Sequence, residues 1–195
     1  MKKIILILLL SVAALSFSAD FADINTFSVS VKERSVINKK EKNKEYLLSV
    51  KFPDKVYKEM KKPEINKGEI YVYNGNKKTI YIPALKQKST KDIEEDENFI
   101  IKVMKDMKNI NYSKAKNSII ETKESKYKVD TAAKKVLEAE YDDGTKVVFE
   151  NYKIISGYNF PLKVMIYDSG AFVSQLDFSN VQINLNVNDE IFILK

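Results

Sequence analysis

Gly68-Glu69-Ile70-Tyr71-Val72-Tyr73-Asn74-Gly75-Asn76-Lys77-Lys78-Thr79-Ile80-Tyr81-Ile82-Pro83 decides how this chain is read. Two short runs of β-branched and aromatic residues flank Asn74-Gly75-Asn76. Asn-Gly is a strong hairpin signal, because glycine accepts the positive φ that a tight turn needs. Pro83 closes the second run, since it cannot donate to a central ladder. More candidate strands lie on both sides, so the hairpin is expected in the middle of a meandering antiparallel sheet.

Upstream, Phe27, Val29 and Val31 alternate with Ser28, Ser30 and Lys32, which predicts a half-buried strand running to about Val36. Asn38 to Lys44 reads as a polar turn. Tyr46, Leu48, Val50 and Phe52 alternate again up to Pro53, and Val56 to Met60 resumes as a strand. Both faces between Val56 and Val72 carry large side chains, so the inward face stays open there.

Downstream, Ala84 to Ser89 leaves the sheet. Ser89 or Thr90 is expected to cap a helix over roughly Lys91 to Met107, with Asp92, Glu94 and Glu95 near its start. Lys102, Lys105 and Lys108 load its other end, and both ends complement the helix dipole. Phe99, Ile100, Val103, Met104 and Met107 form one helical stripe. Tyr112 to Lys126 suits either a short helix or a strand at Ile119 to Thr122. Then β signals return: Tyr127 to Val129, Val136 to Tyr141, Lys146 to Tyr152, Ile154 to Tyr158, Leu162 to Tyr167, Phe172 to Phe178 and Val181 to Val187. Asp142-Asp143-Gly144, Asp168-Ser169-Gly170 and Ser179-Asn180 supply turns, and Ile191 to Leu194 ends the chain apolar.

About ten strands at close spacing predict a meandering sheet or barrel. One helix is small against ten strands, so a curled sheet with a helical lid over a hydrophobic cavity is expected. Candidate cavity residues are Phe27, Val29, Val31, Leu48, Val50, Phe52, Phe99, Ile100, Val103, Met104 and Met107.

The chain has 195 residues, which favours one domain, over residues 20–195. Residues 1–19 read as a secretory signal peptide: Lys2 and Lys3 precede an apolar run from Ile4 to Leu15, and small residues surround Ala19. The run is shorter than the ~20 apolar residues a bilayer span needs. A product outside the cytoplasm, in the periplasm, is expected. Histidine and cysteine are both absent, which removes histidine-based acid–base chemistry and thiolate chemistry. No pair of carboxylates is spaced for hydrolysis, and Asp142-Asp143-Gly144 lacks the alternation of a calcium loop. The chain is therefore read as a non-enzyme with no cofactor. Its net charge of +6 comes from lysines mixed with acids, with Arg34 the single arginine. That pattern argues for a soluble surface and against nucleic-acid binding.

The order of these features resembles a known family. A strand ends in Pro (Val50-Lys51-Phe52-Pro53), a second hairpin also ends in Pro (Tyr71 to Pro83), a helix follows, and a second meander carries Gly157-Tyr158-Asn159-Phe160-Pro161 and Asn184 to Phe192. This resembles the periplasmic outer-membrane lipoprotein carrier and the wider lipoprotein-sorting (LolA-like) family. The resemblance implies an unclosed antiparallel β-barrel with one or two helices as a lid. It implies a monomeric carrier of lipoprotein acyl chains, served by an inner-membrane release complex and an outer-membrane receptor. The family places an arginine before the first of these prolines, where it helps hold the lid closed; here that position is Phe52. The carriers also begin with a helix, where this chain goes nearly straight into a strand. A signalling or assembly module on the same fold, binding a protein through a sheet edge or the lid, is the second reading.

Overall fold

The computed structural model describes residues 19–93 and 99–194. The expected signal peptide, up to Ser18, and the acidic run Glu94 to Glu97 lie outside the described residues.

The first half of the chain is a meander of six strands: β1 (Thr26–Ile37), β2 (Lys40–Lys51), β3 (Lys55–Lys62), β4 (Ile70–Asn74), β5 (Lys77–Ile82) and β6 (Gln87–Asp92). The second half is another six: β7 (Ile119–Glu121), β8 (Ser125–Asp130), β9 (Lys135–Tyr141), β10 (Thr145–Ile155), β11 (Tyr158–Asp168) and β12 (Ala171–Ile183). All twelve form one antiparallel sheet in the order β6-β5-β4-β3-β2-β1-β12-β11-β10-β9-β8-β7. The sheet does not close, as an unclosed barrel requires, and it has twelve strands where about ten were expected. Its centre is the pair β1 and β12, where Val31 faces Phe178 and Glu33 faces Leu176. The Asn74-Gly75 hairpin is real, with Gly75 at φ +58°, but it sits near one edge and not in the middle.

Several boundaries move, and the cause is turn chemistry. The expected polar loop Asn38 to Lys44 is a two-residue turn. Asn38 and Lys39 take φ of 52° and 61°, which matches the twist of the flanking strands, and Lys40 to Lys44 continue the ladder. Ile154 to Tyr158 is not a separate strand, because Ser156-Gly157 turns β10 directly into β11. Ser179-Asn180 is a bulge inside β12 and not a turn. Ser28 and Ser30 pair with Gln182 and Ser179, which leaves one extra residue on β12, and Asn180 has φ 52°. The strand placed at Val181 to Val187 therefore ends at Ile183. The apolar tail carries a short 3₁₀ turn, Asp189–Phe192. It covers the outer face of β3 and β4, with Phe192 and Val72 buried and Asp189 ion-paired to Lys51 at 2.8 Å and Lys55 at 3.2 Å.

The helix α1 spans Phe99–Asn109. Lys91 and Asp92, expected in the helix, lie instead in strand β6 on β5, with Thr79 and Thr90 hydroxyls 3.0 Å apart. Ser89 and Thr90 thus act in a ladder and not as caps. The ambiguous Tyr112 to Lys126 stretch resolves to a 3₁₀ turn at Tyr112–Lys114 and strand β7. The connection from β6 to β7 must travel from one edge of the sheet to the other. An amphipathic helix in that crossover lays its apolar stripe on one sheet face, which becomes the inner face.

Candidate functional site

The register defines what the inner face presents. Phe27, Val29 and Val31 on β1 and Leu48 and Val50 on β2 all point inward, each no more than 4% exposed. On the other half, Phe149, Val164, Leu176 and Phe178 line the same face. Phe160 joins the halves: its ring lies 5.5 Å from Phe27, 6.1 Å from Phe178 and 6.2 Å from Phe21.

The lid rests on the β9–β12 half. Val103, Met104 and Met107 are buried, and Phe99 packs edge-on against Tyr141 at 5.6 Å. The side chain of Ile100 lies outside the described set. Among the described residues, the seat of α1 on β10, β11 and β12 leaves little open space. Phe99, Val103 and Met104 meet Val147, Phe149, Val164, Leu176 and Phe178 around a volume of only about 10 Å³. That is about the least that holds one water, whereas ligand pockets run to several hundred Å³. Large core side chains on both surfaces interdigitate and fill the space that one helix was expected to leave.

Two polar contacts tie the lid down. Tyr141 Oη donates to Asp106 Oδ2 at 3.0 Å. Burial, then the Asp106 charge, push this phenol far above its ordinary pKa. Lys108, in the last turn of α1, donates to the carbonyl oxygen of Ile24, and its ammonium lies 4.4 Å from the Phe52 ring centre. Burial lowers the Lys108 pKa, and Asp23 opposes that shift. Phe52 thus carries a cation–π contact at the position where the resemblance implies an arginine.

The other half of the inner face was not legible in the sequence. Val50 pairs with Val56 and Leu48 with Lys58, so Val56, Lys58 and Met60 point inward and Tyr57 and Glu59 outward. On β4, Tyr71 and Tyr73 face inward while Val72 faces out. One row across the sheet therefore reads Val29, Leu48, Lys58, Tyr71, Ile80. Tyr71, Tyr73, Ile80 and Ile82 are half-buried. The Lys58 ammonium lies 3.8 Å from the Tyr46 ring centre and 5.9 Å from that of Tyr71. Burial lowers the Lys58 pKa; Glu33 opposes this, and Lys44 and Lys78 add to it. The Tyr46 hydroxyl is buried without a hydrogen-bond partner.

Two further clefts lie elsewhere. One of about 400 Å³ runs between α1 and the β7–β8 hairpin, lined by Lys102, Asp106, Thr122, Ser125 and Tyr127 among others. One of about 650 Å³ lies along β9, β10 and β11, bordered by Lys146, Val148, Glu150, Met165 and Tyr167. Asp142-Asp143-Gly144 is a turn, with Gly144 at φ +86° and the Asp143 carboxylate accepting from Thr145 N at 2.8 Å. Among the described residues, no helix is long and apolar enough to cross a membrane.

No family model matches the sequence, and no curated protein matches it. Solved structures share its fold. A DUF1329 family protein from Desulfovibrio piger superposes with a TM-score of 0.65 at 15% identity, over 88% of this chain and 91% of that one. A LolA superfamily protein from Nitrosomonas europaea gives 0.63 at 15% identity, over 88% and 91%. A domain described as an outer membrane lipoprotein-sorting protein, from Vibrio parahaemolyticus, gives 0.61 at 11% identity, over 86% and 89%. The fold is LolA-like: mainly β, one open antiparallel sheet of twelve strands crossed by a helix.

Proposed function

We propose that this chain is an exported, non-catalytic carrier that holds acyl chains of lipoproteins, or similar hydrophobic ligands, on the inner face of its sheet. In this reading residues 1–19 direct export to the periplasm and are removed. The observation that carries it is the largely apolar inner face that spans both halves of the sheet, with the helix α1 resting on one half. Phe27, Val29, Val31, Leu48, Val50 and Phe52 form the fixed wall, and Phe99, Val103, Met104 and Met107 the movable one. The neighbour described as an outer membrane lipoprotein-sorting protein supports the reading by its fold.

With about 10 Å³ beneath the lid, ligand entry requires α1 to lift. Exposing three buried side chains such as Val103, Met104 and Met107 costs roughly 5–9 kcal/mol. A long acyl chain brings about 0.8 kcal/mol per methylene, or roughly 10 kcal/mol in all. The two magnitudes are close, so the ligand offsets opening without trapping the protein open. Met104 and Met107 suit a wall that meets irregular chains, because methionine is unbranched and adaptable.

The test uses the absence of native cysteine. Asp106→Cys and Tyr141→Cys place thiols where two side chains already touch, so a short bis-maleimide, which adds one thiol at each end, pins α1 shut. The pinned protein is expected to lose uptake of a fluorescent fatty acid, while the un-cross-linked double variant keeps it. Uptake unaffected by pinning would overturn entry under the lid. Should the protein take up no hydrophobic probe at all, the second reading applies: an assembly or signalling module binding a protein partner.

A further inference from the structure

Lys58 is out of place in the row it occupies. Its neighbours across the sheet are Leu48 and Tyr71, with Val29 and Ile80 beyond them. An ordinary inward position here would be apolar, and an ordinary solvated lysine would not lie on two tyrosine rings. The rings at 3.8 and 5.9 Å stabilise the charge, but they accept none of its three N–H donors conventionally. Among the described residues the Lys58 ammonium has no carboxylate in ion-pair range and no hydrogen-bond acceptor. Beside it the Tyr46 hydroxyl is buried with no hydrogen-bond partner in range, and the Glu33 carboxylate is the charge that bears on it. A mostly buried cation without an anion is costly to keep, and such groups concentrate where ligands bind.

We infer that Lys58, with the Tyr46 hydroxyl beside it, receives the anionic group of a single-headed amphiphile whose acyl chain lies along the inner face of β2 to β5. This rests on the proposal that the inner face takes acyl chains, and it adds the charge of the ligand. The charges that bear on Lys58 are the carboxylate of Glu33, ion-paired to Lys44 at 3.5 Å, and the ammonium groups of Lys44 and Lys78. Leu48, Tyr71 and Ile80 give the chain an apolar track starting at the ammonium. The shared chemistry is an acidic oxygen group on an acyl chain, either a fatty-acid carboxylate or the phosphate of a monoacyl phospholipid.

The experiment compares a dansyl-labelled undecanoic acid with its methyl ester, by fluorescence titration of the purified chain. The acid is expected to bind about tenfold more tightly, the scale of one charge-assisted hydrogen bond. Lys58→Leu should abolish that preference without lowering the melting temperature, and Lys58→Arg should retain it. Lys58→Gln serves as the neutral variant should Lys58→Leu fail to fold. Tyr46→Phe should weaken the acid several-fold and leave the ester unchanged. Competition by palmitate and by monoacyl glycerol phosphate then separates the two sources, and displacement of the acid by either one supports the assignment. Equal binding of acid and ester by the native chain, or a preference that survives Lys58→Leu, would overturn it while leaving the acyl-chain reading intact. Binding of neither probe would overturn both.

Discussion

Lys108 holds the lid from the helix side, through the Ile24 carbonyl and the Phe52 ring. Lys108→Met keeps the stem and removes the charge. It should weaken lid docking by about 1–2 kcal/mol, from the cation–π and charged hydrogen-bond terms together. Amide exchange within α1 should speed up accordingly, while exchange in β1 and β12 stays slow; unchanged exchange in α1 would refute the tie. The tyrosines make a second prediction at this scale. Burial raises the phenol pKa of Tyr46, Tyr112, Tyr127, Tyr141 and Tyr152, and burial with Glu59 or Glu69 takes Tyr57 and Tyr71 to about 12. In the unfolded chain these groups ionise near 10.0, so above that pH the unfolded state has released protons the folded state still holds. The contribution of these tyrosines to stability is therefore constant below pH 10 and falls as pH rises toward 12. Tyrosinate absorbance should rise together with loss of the β circular dichroism signal. Titration of all eleven tyrosines near pH 10 with the fold intact would contradict this.

Element by element, the sequence was most legible where alternation met a glycine or asparagine turn. The Asn74-Gly75 hairpin, the Asp142-Asp143-Gly144 turn and the strands around Phe27, Leu48 and Val147 all follow that pattern. It was least legible where lysines and glutamates fill both faces. Lys40 to Lys44 read as a loop because that end of β2 extends beyond the buried rows and is mostly exposed. Ser89-Thr90-Lys91-Asp92 looked like a helix cap because the hairpin from β5 to β6 turns through Pro83–Leu85 and Lys86 at φ 51°, with no Asn-Gly or Asp-Gly signal. Lys58 escaped notice for a related reason: Lys55 to Lys62 carries large residues in both phases of the alternation, and only the pairing of Val50 with Val56 selects one. The helical stripe was legible, but the closeness of its seat was not. That seat sharpens the test of the stripe. Met104→Asp places a charge in a contact with about 10 Å³ to spare, so it should undock α1 and disturb uptake of a fluorescent fatty acid. A lid that docks as its own unit predicts rapid exchange in α1 with the melting of the sheet shifted by only a few degrees. A fall in sheet melting as large as the loss of binding would make Met104 ordinary core.

At the scale of the molecule, two meanders share one sheet through β1 and β12, and the open ends are β6 and β7. An open sheet of this size carries a hazard, since an unpaired edge is a template for another chain. The two edges are blunted differently. β7 has three residues, too few to seed a new ladder, while β6 has six exposed ones, including Lys88 and Lys91. Lysine on an edge opposes stacking of a second identical edge by charge. Replacing both, as Lys88→Val with Lys91→Val, removes two charges and adds β-branched surface on the longer edge. The native chain is expected to elute as a monomer in size-exclusion chromatography at all concentrations tested. The double variant should show concentration-dependent dimers or larger species with its β circular dichroism unchanged. The same comparison bears on whether a protein partner adds to this edge: a native chain that already pairs through β6 would self-associate before any substitution, and the double variant would then gain nothing. A monomeric native chain with a self-associating variant leaves the inner face, and not the edge, as the surface kept available for a ligand.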